Sequence, residues 1–255
     1  MTEQKNAAAA KMHAASEEKI IAELLVNLPG EEDIPVDLPS RNRFYNLLDP
    51  SKPVSIRPLT FADEKTLMTS REGGTQALNK LVEKCVQNIN ISELLELDKL
   101  YLLMKIREIS YGDEYNATIT CPQCAQENKV KFSLSKLKVN YLPEDFTNPQ
   151  EVELPVLKKK IKVRLPRVED EGYLRNSELA LANLWRFVEE IEGHSQKTII
   201  SKVIQKLPLK DAHTLMKVLG SSGYGMDTNI RFACSYCSLI ETMELPIGAD
   251  FFTNS

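Results

Sequence analysis

TITCPQCAQENKVKF (118–132) and FACSYCSLIETMEL (232–245) are the two stretches whose reading decides the fold. Each has a CxxC, Cys121/Cys124 and Cys234/Cys237, set between runs in which apolar residues alternate. Tyr115, Ala117, Ile119 and Cys121 fall on one strand face, Val130 and Phe132 on a second run, and Asn229–Phe232 and Ile240–Ile247 flank the later pair. A tight turn between two strands presents two thiolates on one side, and two such turns complete the tetrahedral set that zinc takes. The spacing between the pairs, 109 residues from Cys124 to Cys234, is far beyond the roughly 15 to 20 of a compact ribbon. A long insertion is still acceptable, because loop-closure entropy grows only logarithmically and the insert can fold by itself. The expectation is a split zinc ribbon in which a structural ion staples the ends of an insertion. Two unrelated surface turns and a pair of redox dithiols are the competing readings. Neither CxxC opens a helix in a βαβ unit, which argues against thioredoxin-like exchange. Cys85 lies on an apolar helical stripe and reads as a small buried hydrophobe.

Outward from the knuckles the period is helical. Ile20, Ile21, Leu24, Leu25 and Leu28 form an amphipathic stripe stopped by Pro29 and Gly30. Six prolines between residues 29 and 58 prevent long helices, so this stretch reads as an arm or linker. Thr60 and Thr75 read as N-caps, the second ahead of Leu78, Leu81, Val82, Cys85 and Val86; Ser92 and Asp98 read as further caps, ahead of Leu100, Leu103, Ile106 and Ile109, a stripe that ends at Gly112. A second hairpin is expected over Glu151–Leu154 and Lys160–Leu165. Beyond it Leu184, Trp185, Val188 and Ile191 read as one helix. Ile199, Ile200, Val203, Ile204 and Leu207 read as the next, capped by Ser195, with Pro208 separating it from a third that ends near Gly220. The fold class is therefore α+β, helical blocks with short antiparallel hairpins. Its divisions are 1–58 (helix and arm), 59–112 (helical block), 113–142 (first knuckle hairpin), 143–226 (hairpin and helical insertion) and 227–255 (second knuckle hairpin).

Composition narrows the function. Of 255 residues 42% are hydrophobic and 27% charged, ordinary for a globular chain that needs no disulfides. No run approaches the roughly 18 apolar residues of a membrane span, and the N-terminus lacks a signal peptide's apolar stretch, so a soluble cytosolic chain is expected. With 32 Lys+Arg against 36 Asp+Glu the net charge is −4, which disfavours general binding of phosphate backbones. Lys158–Lys160 with Lys162, Arg164 and Arg167 can form a basic hairpin, but no aromatic residues interleave it and a solvated face is the better reading. His13, His194 and His213 stand apart as surface residues, and Gly223 and Gly225 read as a flexible connection without a phosphate-loop lysine. No catalytic or cofactor-binding residue and no small-molecule substrate is indicated.

The succession LPSRNRFY (38–45), SIRPLTFADEKTL (55–67), ISYGDEYNATITCPQCAQENKVKFSL (109–134), YLPEDF (141–146), LPLKDAHTL (207–215), FACSYC (232–237) and ELPIGADFF (244–252) resembles the baseplate protein family of T-even-type contractile-tailed bacteriophages. The resemblance covers nearly the whole chain after about residue 36. It implies a non-enzymatic role in building the tail's baseplate hub, as a bound component or an assembly factor, with other hub proteins as partners. Host cytoplasm during assembly and the virion tail baseplate are the implied locations. Within it Cys121, Cys124, Cys234 and Cys237 are the scaffold's zinc clip, and the N-terminal arm can order on a partner. The second knuckle has Ser238 and Leu239 where a glycine would ease the turn. The alternative carried beside this is a zinc-ribbon nucleic-acid-binding or transcription accessory protein, with a thiol oxidoreductase behind it.

Overall fold

The computed structural model describes residues 17–21, 23–24, 33–69, 74–220, 223–245, 247 and 249–252. By contacts the chain divides into Met1–Asp33 and Ile34–Ser255. In the first unit residues 17–21 and 23–24 are helical, with Ile20, Ile21 and Leu24 exposed. Leu25, Leu28, Pro29 and Gly30, which complete the stripe and its stop, lie outside the described residues.

The second unit mixes helices with short antiparallel sheets, as the residue patterns predict. Its first surprise is the proline-rich stretch. β1 (Ile34–Pro35) pairs with β2 (Ser55–Ile56), which pairs with β3 (Val86–Gln87), and Leu38 and Val54 are fully buried. From Ile34 onward the stretch is therefore part of the body and no linker. Prolines exclude helices but not burial, and extended backbone needs only a sheet edge to satisfy its N–H and C=O groups.

The helix Phe61–Thr69 starts as the sequence predicts. Thr60 Oγ1 accepts from the Asp63 N–H at 3.3 Å, and the Thr60 N–H donates to Asp63 Oδ2 at 3.0 Å, a reciprocal cap. Gly74–Cys85 buries Ala77, Leu78, Leu81, Val82 and Cys85 on one face, and Thr75 lies inside this helix rather than before it. The long helix Glu96–Tyr111 buries Leu102, Leu103, Met104 and Ile106 and ends at Gly112, whose φ of 90° favours glycine.

Ser92 and Asp98 do not cap this helix. Ser92 belongs to a 3-10 turn, Ile91–Glu93, capped by Asn90. Asp98 is buried in the first turn of the helix that begins after Leu95, and its carboxylate accepts from the Ser40 N–H at 3.0 Å and from the Tyr45 hydroxyl at 2.5 Å. The Tyr45 oxygen in turn accepts from the Leu95 N–H at 3.0 Å, so the proline-rich segment supplies the orphan donor of the helix start with its partner. Burial pushes the Asp98 carboxyl above the usual carboxylate range.

β4 (Glu114–Thr120) and β5 (Glu127–Ser133) form the first knuckle hairpin, in register from Glu114↔Ser133 to Thr120↔Glu127. β6 (Val139–Asn140) follows. β7 (Gln150–Glu153) and β8 (Lys160–Val163) form the expected second hairpin, and β9 (Val188–Ile191) adds to it as a third strand. The sequence reading has Val188 and Ile191 in a helix, and the reason for that error is visible. Val163 opposes Val188 while Lys162 opposes Glu190, so Glu189 is the extra residue of a bulge, and two residues three apart both face inward. A bulged strand thus imitates the i, i+3 spacing of a helix. The helix after it, Lys197–Ile204, is capped at Gln196 and not at Ser195, and Leu209–Gly220 follows Pro208. This insertion has a core of its own, including Leu154, Ile161, Phe187, Val188, Ile200 and Leu215.

β10 (Gly225–Met226) is buried and pairs with β6, so the glycine-containing segment is a short strand from Gly225, not only a connection. Gly225 has φ 103°, and a Cβ there would lie 3.2 Å from Leu97 Cβ. β11 (Asn229–Ala233) and β12 (Ile240–Glu244) complete the second knuckle hairpin. Replacing Gly225 by alanine is expected to cost about 1 to 3 kcal/mol, from the left-handed backbone and the Leu97 contact together, read as a lower midpoint in urea unfolding.

Candidate metal centre

The centre is built by strand alternation. Along β4 the buried residues are Tyr115, Ala117 and Ile119, and the next inward position is Cys121; along β11 they are Ile230 and Phe232, and the next is Cys234. The first cysteine of each knuckle therefore enters the main core, while Cys124 and Cys237 are half-buried. Each knuckle closes with the same two bonds. The Ala125 N–H donates to the Cys121 carbonyl and the Cys121 N–H to the Gln126 carbonyl, both at 2.9 Å. Likewise the Ser238 N–H donates to the Cys234 carbonyl at 3.1 Å and the Cys234 N–H to the Leu239 carbonyl at 2.8 Å. Ala125 at φ 56° and Ser238 at φ 60° both take the left-handed conformation without glycine, so the missing glycine does not change the turn.

Cys121 Sγ lies 3.6 Å from Cys237 Sγ, and Cys124 Sγ lies 3.6 Å from Cys234 Sγ. All four sulfurs are within 4.8 Å of one another. A tetrahedral ion with metal–sulfur bonds of about 2.3 Å sets its sulfurs about 3.8 Å apart, so the group has the dimensions for one ion held by two thiolates from each hairpin. Four sulfur donors suit a soft, tetrahedral cation, and the set can hold a metal ion with no coordination position left over.

Electrostatics favours the Cys234 thiolate and resists those of Cys124 and Cys237. Burial alone would raise the Cys234 thiol, but N–H groups of Cys237 and Tyr236 outweigh it and bring it down to about 6. The Leu239 N–H favours the Cys237 thiolate, yet burial and the neighbouring sulfurs drive that thiol up to about 12. Cys124 is raised against the pull of the Gln126 N–H in the same way. Negative charge on several sulfurs so close together requires a cation.

Asn128, absent from the sequence reading, ties the halves together. It is 4% exposed; its Nδ2 donates to the Gln126 carbonyl at 3.0 Å and lies 3.5 Å from Cys234 Sγ, while its Oδ1 accepts from the Ser235 N–H at 2.8 Å. The signal was available: Asn128 precedes Val130 by two and shares its inward phase on β5.

The other candidates stay apart from the centre. Cys85 is buried in the main core, where burial pushes its thiol up to about 11. Lys158–Lys160 lie on and just after the turn from β7 to β8, Lys160 pairs with Glu151 at 2.7 Å, and Lys162 pairs with Glu190 at 3.0 Å. Arg164 makes two bonds to Asp170 at 2.6 and 2.8 Å, and Arg167 donates to the Glu93 and Phe44 carbonyls. The run is thus largely neutralised or used in packing. His194 and His213 are exposed, and His13 lies outside the described residues. Among the described residues the four cysteines are the one group of histidine, cysteine and carboxylate ligands able to hold a metal, and no helix is long and apolar enough to cross a membrane. Asn128→Ala is expected to cost about 1 to 3 kcal/mol by leaving the Ser235 N–H without its partner, measured by chemical denaturation beside Asn128→Asp, which keeps the acceptor.

Comparison with curated proteins and with solved structures returns no match. The family model described as T4 bacteriophage base plate protein matches residues 37–253, a span that contains the proline-rich packing segment, both knuckles and the insertion. The chain therefore belongs to the T4 bacteriophage base plate protein family and has a structural role in the phage tail baseplate.

Proposed function

We propose that the chain is a non-enzymatic protein of the baseplate hub, acting as a bound component or an assembly factor through contacts with other hub proteins, and that it does so with a structural zinc ion held by Cys121, Cys124, Cys234 and Cys237. The observation that carries this reading is the four-sulfur cluster lying within a span that matches a baseplate family. Zinc held by four thiolates has no open position for water or substrate, so the ion would join segments and perform no chemistry. In this reading 113–142 and 227–255 are the two halves of the clip and 143–226 an insertion between them, a division supported by the separate core around Phe187 and Ile200. Assembly would take place in the host cytoplasm.

Nucleic-acid binding is the weaker alternative, because Lys160, Lys162 and Arg164 of the basic run already face carboxylates. Quantitative mass spectrometry of purified particles and of partially assembled baseplates tests the proposal. A fixed ratio in both identifies a resident component, presence only in intermediates an assembly factor, and absence from both sinks the hub reading. For the metal, elemental analysis is expected to find zinc in the purified chain and much less in Cys234→Ser. That variant should lose about 3 to 5 kcal/mol of stability, because binding the ion is coupled to folding. Equal zinc in both proteins would falsify the clip.

A further inference from the structure

Within Ile34–Ser255 lies a cleft of about 610 Å³ that the proposed zinc site does not use. Its walls are aliphatic: Leu97, Leu100 and Leu103 from the long helix, Leu219 from the end of the helix Leu209–Gly220, and Leu245 and Ile247 after β12. Its polar lining includes three carboxylates, Glu96, Glu171 and Glu244, and one ammonium, Lys99. Lys99 is already committed. Its Nζ pairs with Glu171 Oε1, and Glu171 Oε2 accepts from Asn79 Nδ2 at 2.9 Å. Among the described residues Glu96 and Glu244 are in no ion pair, and Glu244 has only a 3.4 Å bond from the Thr228 hydroxyl. Burial, and then the nearby Glu171, push the Glu96 carboxyl above its usual range, so a cation entering the cleft would relieve an existing repulsion.

We infer that this cleft is a docking site for a segment of a partner protein that presents a lysine or arginine flanked by aliphatic side chains, the cation meeting Glu96 and Glu244 and the aliphatic groups meeting Leu97, Leu100, Leu219 and Ile247. The inference rests on the reading that the chain works by protein contact and adds the surface and the partner's chemistry. A cleft with two unpaired carboxylates repels nucleic acid and acidic peptides, and its aliphatic walls reward burial of apolar side chains.

The test is fluorescence anisotropy on the full chain with a labelled peptide of Lys and Leu at helical spacing, beside Glu/Leu and Lys/Ser peptides of equal length. The Lys/Leu peptide is expected to bind at least about tenfold more tightly than either control. The double variant Glu96→Gln, Glu244→Gln should weaken it by about tenfold, while Lys159→Gln, on a turn that does not line the cleft, leaves it unchanged. Equal binding of the three peptides, equal binding by the double variant, or no binding by the parent chain overturns the cleft assignment. None of these outcomes touches the hub proposal, which stands or falls on the chain's presence in baseplates.

Discussion

Two cysteine pairs with 109 residues between them have to meet so that Cys121 and Cys234 enter one core, and the rest of the body is arranged around that closure. The long helix Glu96–Tyr111 is the surface on which it happens. Arg107 on that helix, 2% exposed, donates to the Phe251 carbonyl at 3.0 Å and lies over the Tyr111 ring at 4.4 Å, while Tyr111 donates to the Phe252 carbonyl at 2.6 Å. Phe251 packs against Tyr115 of the first hairpin with ring centroids 4.7 Å apart. The segment after the second knuckle is thereby fixed to the helix before the first, which brings the ends of the intervening chain together.

The start of the same helix is held by a different device. Asp98 is wholly buried, and a buried carboxylate is costly unless its oxygens are satisfied. Ser40 and Tyr45 meet that requirement from the proline-rich segment, and their bonds join residues more than fifty positions apart in the chain. A smaller cluster of Leu95, Leu142, Leu165 and Tyr224 is separate from the main core and from the one around Phe187 and Ile200.

Much of the fold was legible because it follows from local rules. The two-residue period marked β4 and β11 and carried the first cysteine of each pair inward, and the stripe Leu78, Leu81, Val82 and Cys85 marked its helix. What escaped has definite causes. At β9 a bulge gave a strand the spacing of a helix, so Val188 and Ile191 were placed in the wrong element. Ser92, Asp98 and Ser195 are residue types that favour helix starts, but Asn90, the paired Tyr45–Leu95 contact and Gln196 hold those positions instead. Asn128 went unnoticed because a polar residue on an inward phase looks like an interruption until its partners on the other hairpin are present.

By itself the sequence determined the two knuckles and the helical blocks, since a CxxC turn, a period of two and a period of 3.6 are properties of a few adjacent residues. The tertiary structure alone decided that four sulfurs from two distant turns stand within 4.8 Å, that the proline-rich segment packs instead of linking, and that Glu96 and Glu244 share a cleft with aliphatic walls. Each of these depends on which buried surfaces meet across long stretches of chain, and that choice belongs to the packing of the whole core, where no local period carries it.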